Sequence, residues 1–219
     1  MTAFLPRRRR RQIIWAVTAV SAVAAAAFSL PTYLTGDTSA SRIPLDPDIA
    51  LHYLSIVVHA LPASLLLAIG PFQFAATLRA RRPGLHRVLG RVYMVSVVVA
   101  AVVAIVAATF SVSGISAQIA FYLLSAAWIY SLVQGYRAIR QGQVQLHRIW
   151  MIRNYALSFA AVALRAFLGL GLALRGPFPS LTFADIYTTS VWSSIVVCAV
   201  VAEYFIIQKT ITPLVRKAA

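Results

Sequence analysis

The run VLGRVYMVSVVVAAVVAIVAATF, residues 88–110, decides the fold class. Within it, residues 92–109 carry no charge at all. A helix rises about 1.5 Å per residue, so roughly 20 apolar residues cross the hydrocarbon core of a bilayer. A water-exposed helix of that length would carry a charged face, and this one has none. Working outward, five more stretches meet the same criterion: 13–34, 49–78, 115–136, 149–174 and 187–208. A membrane barrel would show short alternating segments instead of these continuous runs. The reading is an all-α polytopic membrane protein, a bundle of six transmembrane helices. Of its 219 residues, 60% are apolar and 11% charged, against about 25% charged in a soluble domain. Too little polar sequence remains to build a soluble domain. The expected organisation is therefore a basic tail (1–12), one membrane domain (13–208) and a second basic tail (209–219). Pro62 and Gly70-Pro71 fall inside the second stretch and predict a kink or break towards its inner end.

The net charge of +15 raises nucleic-acid binding, which needs basic residues gathered on a soluble face. Here they stand in clusters between apolar runs, the pattern that orients a membrane protein. Seventeen of the twenty Lys and Arg fall in the N-terminal tail, the second-to-third loop, the fourth-to-fifth loop and the C-terminal tail. Arg42 and Arg175 fall on the other side, and Arg165 lies within a span. The asymmetry predicts both termini in the cytoplasm (N-in/C-in) and a basic face that attracts anionic lipid headgroups. The apolar run after Arg7–Arg11 is longer than a signal-peptide core and reads as a retained first helix. Cys198 lies in an apolar run and reads as a packing residue.

Two loops end in similar words. Leu85-His86-Arg87 is followed by Arg91 and Tyr93, and Leu146-His147-Arg148 by Arg153 and Tyr155. Each word opens a span running in the same direction, so His86 and His147 share a depth near the inner boundary. These words, with Gly70-Pro71-Phe72-Gln73-Phe74, the stretch from Trp150-Met151-Ile152 through Ala161, Leu164-Arg165 and Ala202-Glu203, resemble a group of bacterial membrane proteins. It is the family termed domain of unknown function 2306. The resemblance covers roughly residues 59–206. It implies a multi-pass protein of a bacterial inner membrane and carries no established activity.

Ionisable groups inside a span are costly and point to function by default. His59 lies near the midplane, Arg165 in the outer half, and Glu203 about 8 Å above the inner end of its helix. Arg165 and Glu203 differ in height and are not expected to pair, whereas Glu203 lies near the level of Arg153, Asn154 and Ser158. On the fifth span, His147, Met151, Asn154, Ser158, Ala161 and Arg165 recur at steps of three and four and form one stripe. On the second, His52, Ser55, His59, Ala63, Gly70 and Gln73 lie near one face. Both stripes are expected to face other helices. Together they place His59, Asn154, Ser158, Arg165 and Glu203 along one interior polar site.

Imidazole is a common axial ligand for haem iron, and a b-type haem needs two His at one depth on facing helices. His86 and His147 meet the depth condition, with Arg87, Arg91, Arg148 and Arg153 as partners for the propionates. His52 and His59 share a helix face and cannot flank one iron, so at most one haem is supported. The rival reading for the two His residues is structural, hydrogen-bonding helix ends or headgroups. Two other functions compete with haem-based electron transfer. One is a cofactor-free protein that binds or passes a small molecule through the His59–Arg165–Glu203 interior. The other is a non-catalytic subunit, or one copy of a homo-oligomer, in a membrane assembly. Phosphate-cradling loops and hydrolase or zinc-protease words are missing from the sequence, and five acidic residues argue against a carboxylate-bound metal.

Overall fold

The computed structural model describes residues 7–41, 43, 45–46, 48–208 and 212. Arg42, Lys209, Arg216 and Lys217, counted in the charge asymmetry, lie outside the described residues. Seven α-helices are present among them and no strand: α1 (Arg7–Leu34), α2 (Ala50–Gln73), α3 (Ala76–Arg81), α4 (Pro83–Thr109), α5 (Ile115–Arg140), α6 (Val144–Leu174) and α7 (Phe183–Ile206). All but α3 are long and apolar enough to cross a membrane.

The helices begin where local chemistry permits. Pro83 opens α4 at its first position, where its missing N–H has no helical partner to lose. Thr182 and Asp185 form a reciprocal capping box at the start of α7. Gly142 adopts φ +73 between α5 and α6, a left-handed conformation that lets the chain reverse within three residues.

Several boundaries move from their expected places. The second stretch does not run to residue 78. α2 passes through Pro62 and Pro71, stops at Gln73, and Ala75 becomes extended before the short α3. α6 begins at Val144 rather than 149 and, at 31 residues, is about 46 Å long. Its extra turn is polar helix, which hydropathy does not mark. Residues 7–12, expected as a tail, are the first turns of α1.

α1, α2, α4 and α5 pack each on the next, α6 lies against α1, α2 and α5, and α7 covers α5 and α6. The interior is built from small and aromatic residues, among them Ala22, Val97, Ala100, Ala101, Tyr93, Trp128 and Tyr155. The exterior carries the bulky aliphatics: Val17, Val20, Val95, Ile119 and Val200 are all exposed, Val20 to 69%. That inverted distribution is unstable in water and suits lipid, where close backbone approach replaces hydrophobic burial. Gly70 shows the closeness required, because a Cβ there would overlap the Tyr155 ring. The Tyr155 hydroxyl in turn donates to the Leu67 carbonyl at 3.1 Å, locking α6 to α2.

Candidate functional site

The interior polar residues fall into four separate places along α6. The central one is closed. Asn154 is 0% exposed, and its Nδ2 donates to the Trp128 carbonyl at 2.8 Å and to Ser131 Oγ at 2.9 Å. Its Oδ1 accepts from the Tyr93 hydroxyl at 2.8 Å. Ser158 Oγ accepts from Trp128 Nε1 at 2.9 Å and lies 3.2 Å from the Tyr93 hydroxyl. α4, α5 and α6 are thus joined by one network that engages both Nδ2 protons and the Oδ1 of Asn154. Asn154 and Ser158 were expected in the polar interior. Their partners Trp128 and Ser131 carry no mark in the sequence, whereas Tyr93 belongs to the first echoing word. Tyr93 stands seven residues after His86 and Asn154 seven after His147, so the two echoing words meet two turns up.

Glu203 pairs with Arg153, as their similar depth suggested, and not with Arg165. Arg153 Nε donates to Oε1 at 2.5 Å and Nη2 to Oε2 at 3.0 Å, a bidentate bridge between α6 and α7. The guanidinium also lies 4.7 Å from the Trp150 ring centroid. These contacts commit Arg153 to the α5–α7 side of α6.

Further along the bundle, on the opposite side of the Asn154 network, His59 Nδ1 lies 2.8 Å from the Ala100 carbonyl. A carbonyl only accepts, so Nδ1 carries the proton. Arg165 donates to the Ala161 carbonyl and to Ser29 Oγ of α1 at 2.7 Å, and its charge reaches His59 and Tyr187. His59 and Arg165 therefore neighbour each other, while Glu203 belongs elsewhere. The α6 stripe faces inward from His147 to Ser158, but Ala161 and Arg165 are exposed. His52 is buried and accepts from the Asp46 N–H at 3.0 Å, which makes it a loop anchor.

The Arg-rich end is the least satisfied region. His147 Nδ1 lies 2.8 Å from the Gly135 carbonyl, which only accepts, so Nδ1 holds a proton. His86 lies within electrostatic reach of His147 and Arg79. Its buried Nδ1 has no hydrogen-bond partner among the described residues, and neither has Gln73 Nε2. Arg79 donates to the Gln73 carbonyl at 3.0 Å. Trp15 Nε1 donates to the Pro71 carbonyl at 2.8 Å, which sets Arg11, one turn away on α1, at the same end. Partial burial first, then the charges of Arg148 and Arg11, hold the Arg79 guanidinium below its usual pKa. The five carboxylates lie elsewhere: Asp37, Asp46 and Asp48 between α1 and α2, Asp185 in its capping box, Glu203 on Arg153. Arg87 and Arg91 are exposed on α4.

The fold and these sites define a polytopic helical membrane protein whose polar interior is strung along one long helix. The family model described as Predicted membrane protein (DUF2306) matches residues 56–206, and the chain belongs to that family. No curated protein and no solved structure matches it.

Proposed function

We propose that the chain lies in a bacterial cytoplasmic membrane with both termini inside and holds one b-type haem between α4 and α6, serving membrane electron transfer. The observation that carries this reading is the register of His86 and His147. Each lies seven residues, about 10 Å, from the point where Tyr93 and Asn154 meet, so the two imidazoles share a depth and a side. The Gly135 carbonyl orients His147 so that Nε2 is the nitrogen left for a metal, as partners of metal-bound histidines do. His86 has no partner at its buried Nδ1 among the described residues. Arg11, Arg79 and Arg148, with no carboxylate beside them among the described residues, suit the two propionates better than Arg153, which is engaged by Glu203. A haem there would supply one-electron chemistry tuned by its axial ligands.

The test is an absorption spectrum of purified protein, oxidised and dithionite-reduced, from cells given ample haem precursor. A sharp reduced-state band near one haem per chain, lost in His86→Ala and in His147→Ala, is expected. A featureless visible spectrum from folded protein would sink the reading. Small-molecule binding at the neighbouring His59 and Arg165 then becomes the leading account, with His59→Ala the variant that alters it. Topology is tested separately, using the burial of the lone Cys198. An impermeant maleimide should label Thr38→Cys on intact cells, and Gln141→Cys only after permeabilisation.

A further inference from the structure

α5, α6 and α7 enclose a half-open cavity of about 190 Å³ beside the Arg153–Glu203 bridge. Its walls are aromatic: Trp150 and Tyr130 meet edge to face with centroids 5.5 Å apart. The hollow between them exists because Ala127, Ala199 and Ala202 are small. Among the described residues, the charges lining it are Arg153 and Glu203, and these cancel. Their side chains remain 30% and 44% exposed. Arg153 uses two of its five N–H donors on the carboxylate, and the carboxylate keeps unused lone pairs. A donor and an acceptor therefore stand side by side in an apolar, aromatic slot of zero net charge.

That combination selects a ligand. An anion gains no net attraction from a neutral pair and is repelled by Glu203. An alkyl chain leaves both polar groups unanswered. A neutral planar ring bearing oxygens answers them: a carbonyl accepts from Arg153, and in the reduced ring a hydroxyl also donates to Glu203. A single-ring or two-ring headgroup is of the right size, and the exposed apolar surface of Val196 and Val200 on α7 offers a path for its tail. We propose that this slot binds the headgroup of a membrane-soluble quinone. Trp150 follows His147 by three residues on α6, so a bound ring lies about one helical turn from a haem ligand. Binding stands independently of the haem; its use in electron transfer rests on that reading.

The experiment titrates the full chain in lipid nanodiscs with menadione, and in parallel with naphthalene, which has the same rings without the oxygens. Tryptophan fluorescence quenching reads binding. Saturable binding of menadione, at least about tenfold tighter than naphthalene, is expected. Ala199→Leu, which fills the slot and leaves the ion pair, should weaken menadione by about tenfold or more. Equal affinity for the two compounds, a measurement that needs no variant, overturns the proposal. So does quenching that never saturates, or a folded Ala199→Leu that binds as the parent does. Saturable menadione binding by a chain without haem absorbance upholds this site and rejects only the haem. A haem band without menadione binding does the reverse.

Discussion

The centre of the bundle and its Arg-rich end contain similar residue types and differ in how they are satisfied. At the centre, Tyr93, Trp128, Asn154 and Ser158 answer one another's donors and acceptors, and no charge is present. At the end, buried His86 Nδ1 and Gln73 Nε2 have no partner among the described residues, and Arg79 stands among other cations. Buried donors left open are costly in the protein alone, whereas a closed network holds helices together. The contrast separates a polar cluster that builds the fold from one whose buried groups are left open among the described residues.

The sharpest attack on that comparison is Asn154→Leu. It removes three buried hydrogen bonds, to the Tyr93 hydroxyl, the Trp128 carbonyl and Ser131 Oγ, and should cost about 2–4 kcal/mol. Equilibrium unfolding in mixed micelles measures it, and a variant as stable as the parent would remove the structural role from the central network. Gly70→Leu drives a side chain into the Tyr155 ring between α2 and α6 and should cost about 1–3 kcal/mol in the same assay.

At the Arg-rich end the effects on the apoprotein should be smaller. His147→Ala loses one hydrogen bond to the Gly135 carbonyl, about 1 kcal/mol. His86→Ala loses no hydrogen bond at its buried Nδ1 and should cost under about 0.5 kcal/mol. A large loss of apoprotein stability in His86→Ala would place this end with the centre. The smallest effect has the opposite sign. Arg79→Gln relieves repulsion with Arg148 and Arg11 and should raise the melting temperature slightly at low ionic strength. The gain should fade as salt screens the charges. A fall instead would mean that its bond to the Gln73 carbonyl outweighs the repulsion.

How legible these features are differs with their physics. The six spans can be read directly, because a bilayer imposes a length and an apolarity that few other contexts demand. The first turn of α6 escapes that reading, since Gln145, His147 and Arg148 form a helix outside the apolar run. Depth along each helix is also readable at a fixed rise per residue, which is why Glu203 could be matched with Arg153 and separated from Arg165. Neighbours across helices cannot be obtained that way. Trp128 and Ser131 complete the Asn154 network only because α5 lies against α6, and nothing in the spacing of α5 announces it.

What the sequence determined by itself is the membrane architecture and the asymmetry of positive charge along the chain. Each depends on one coordinate, position along a helix of fixed rise in a solvent of fixed thickness. The tertiary structure decided the partners: Arg153 bound to Glu203 beside an aromatic slot, Asn154 enclosed by Tyr93 and Trp128, and Arg79 set among Arg11 and Arg148. Those outcomes depend on lateral packing, where a glycine such as Gly70 sets how closely two helices approach and so which side chains can meet.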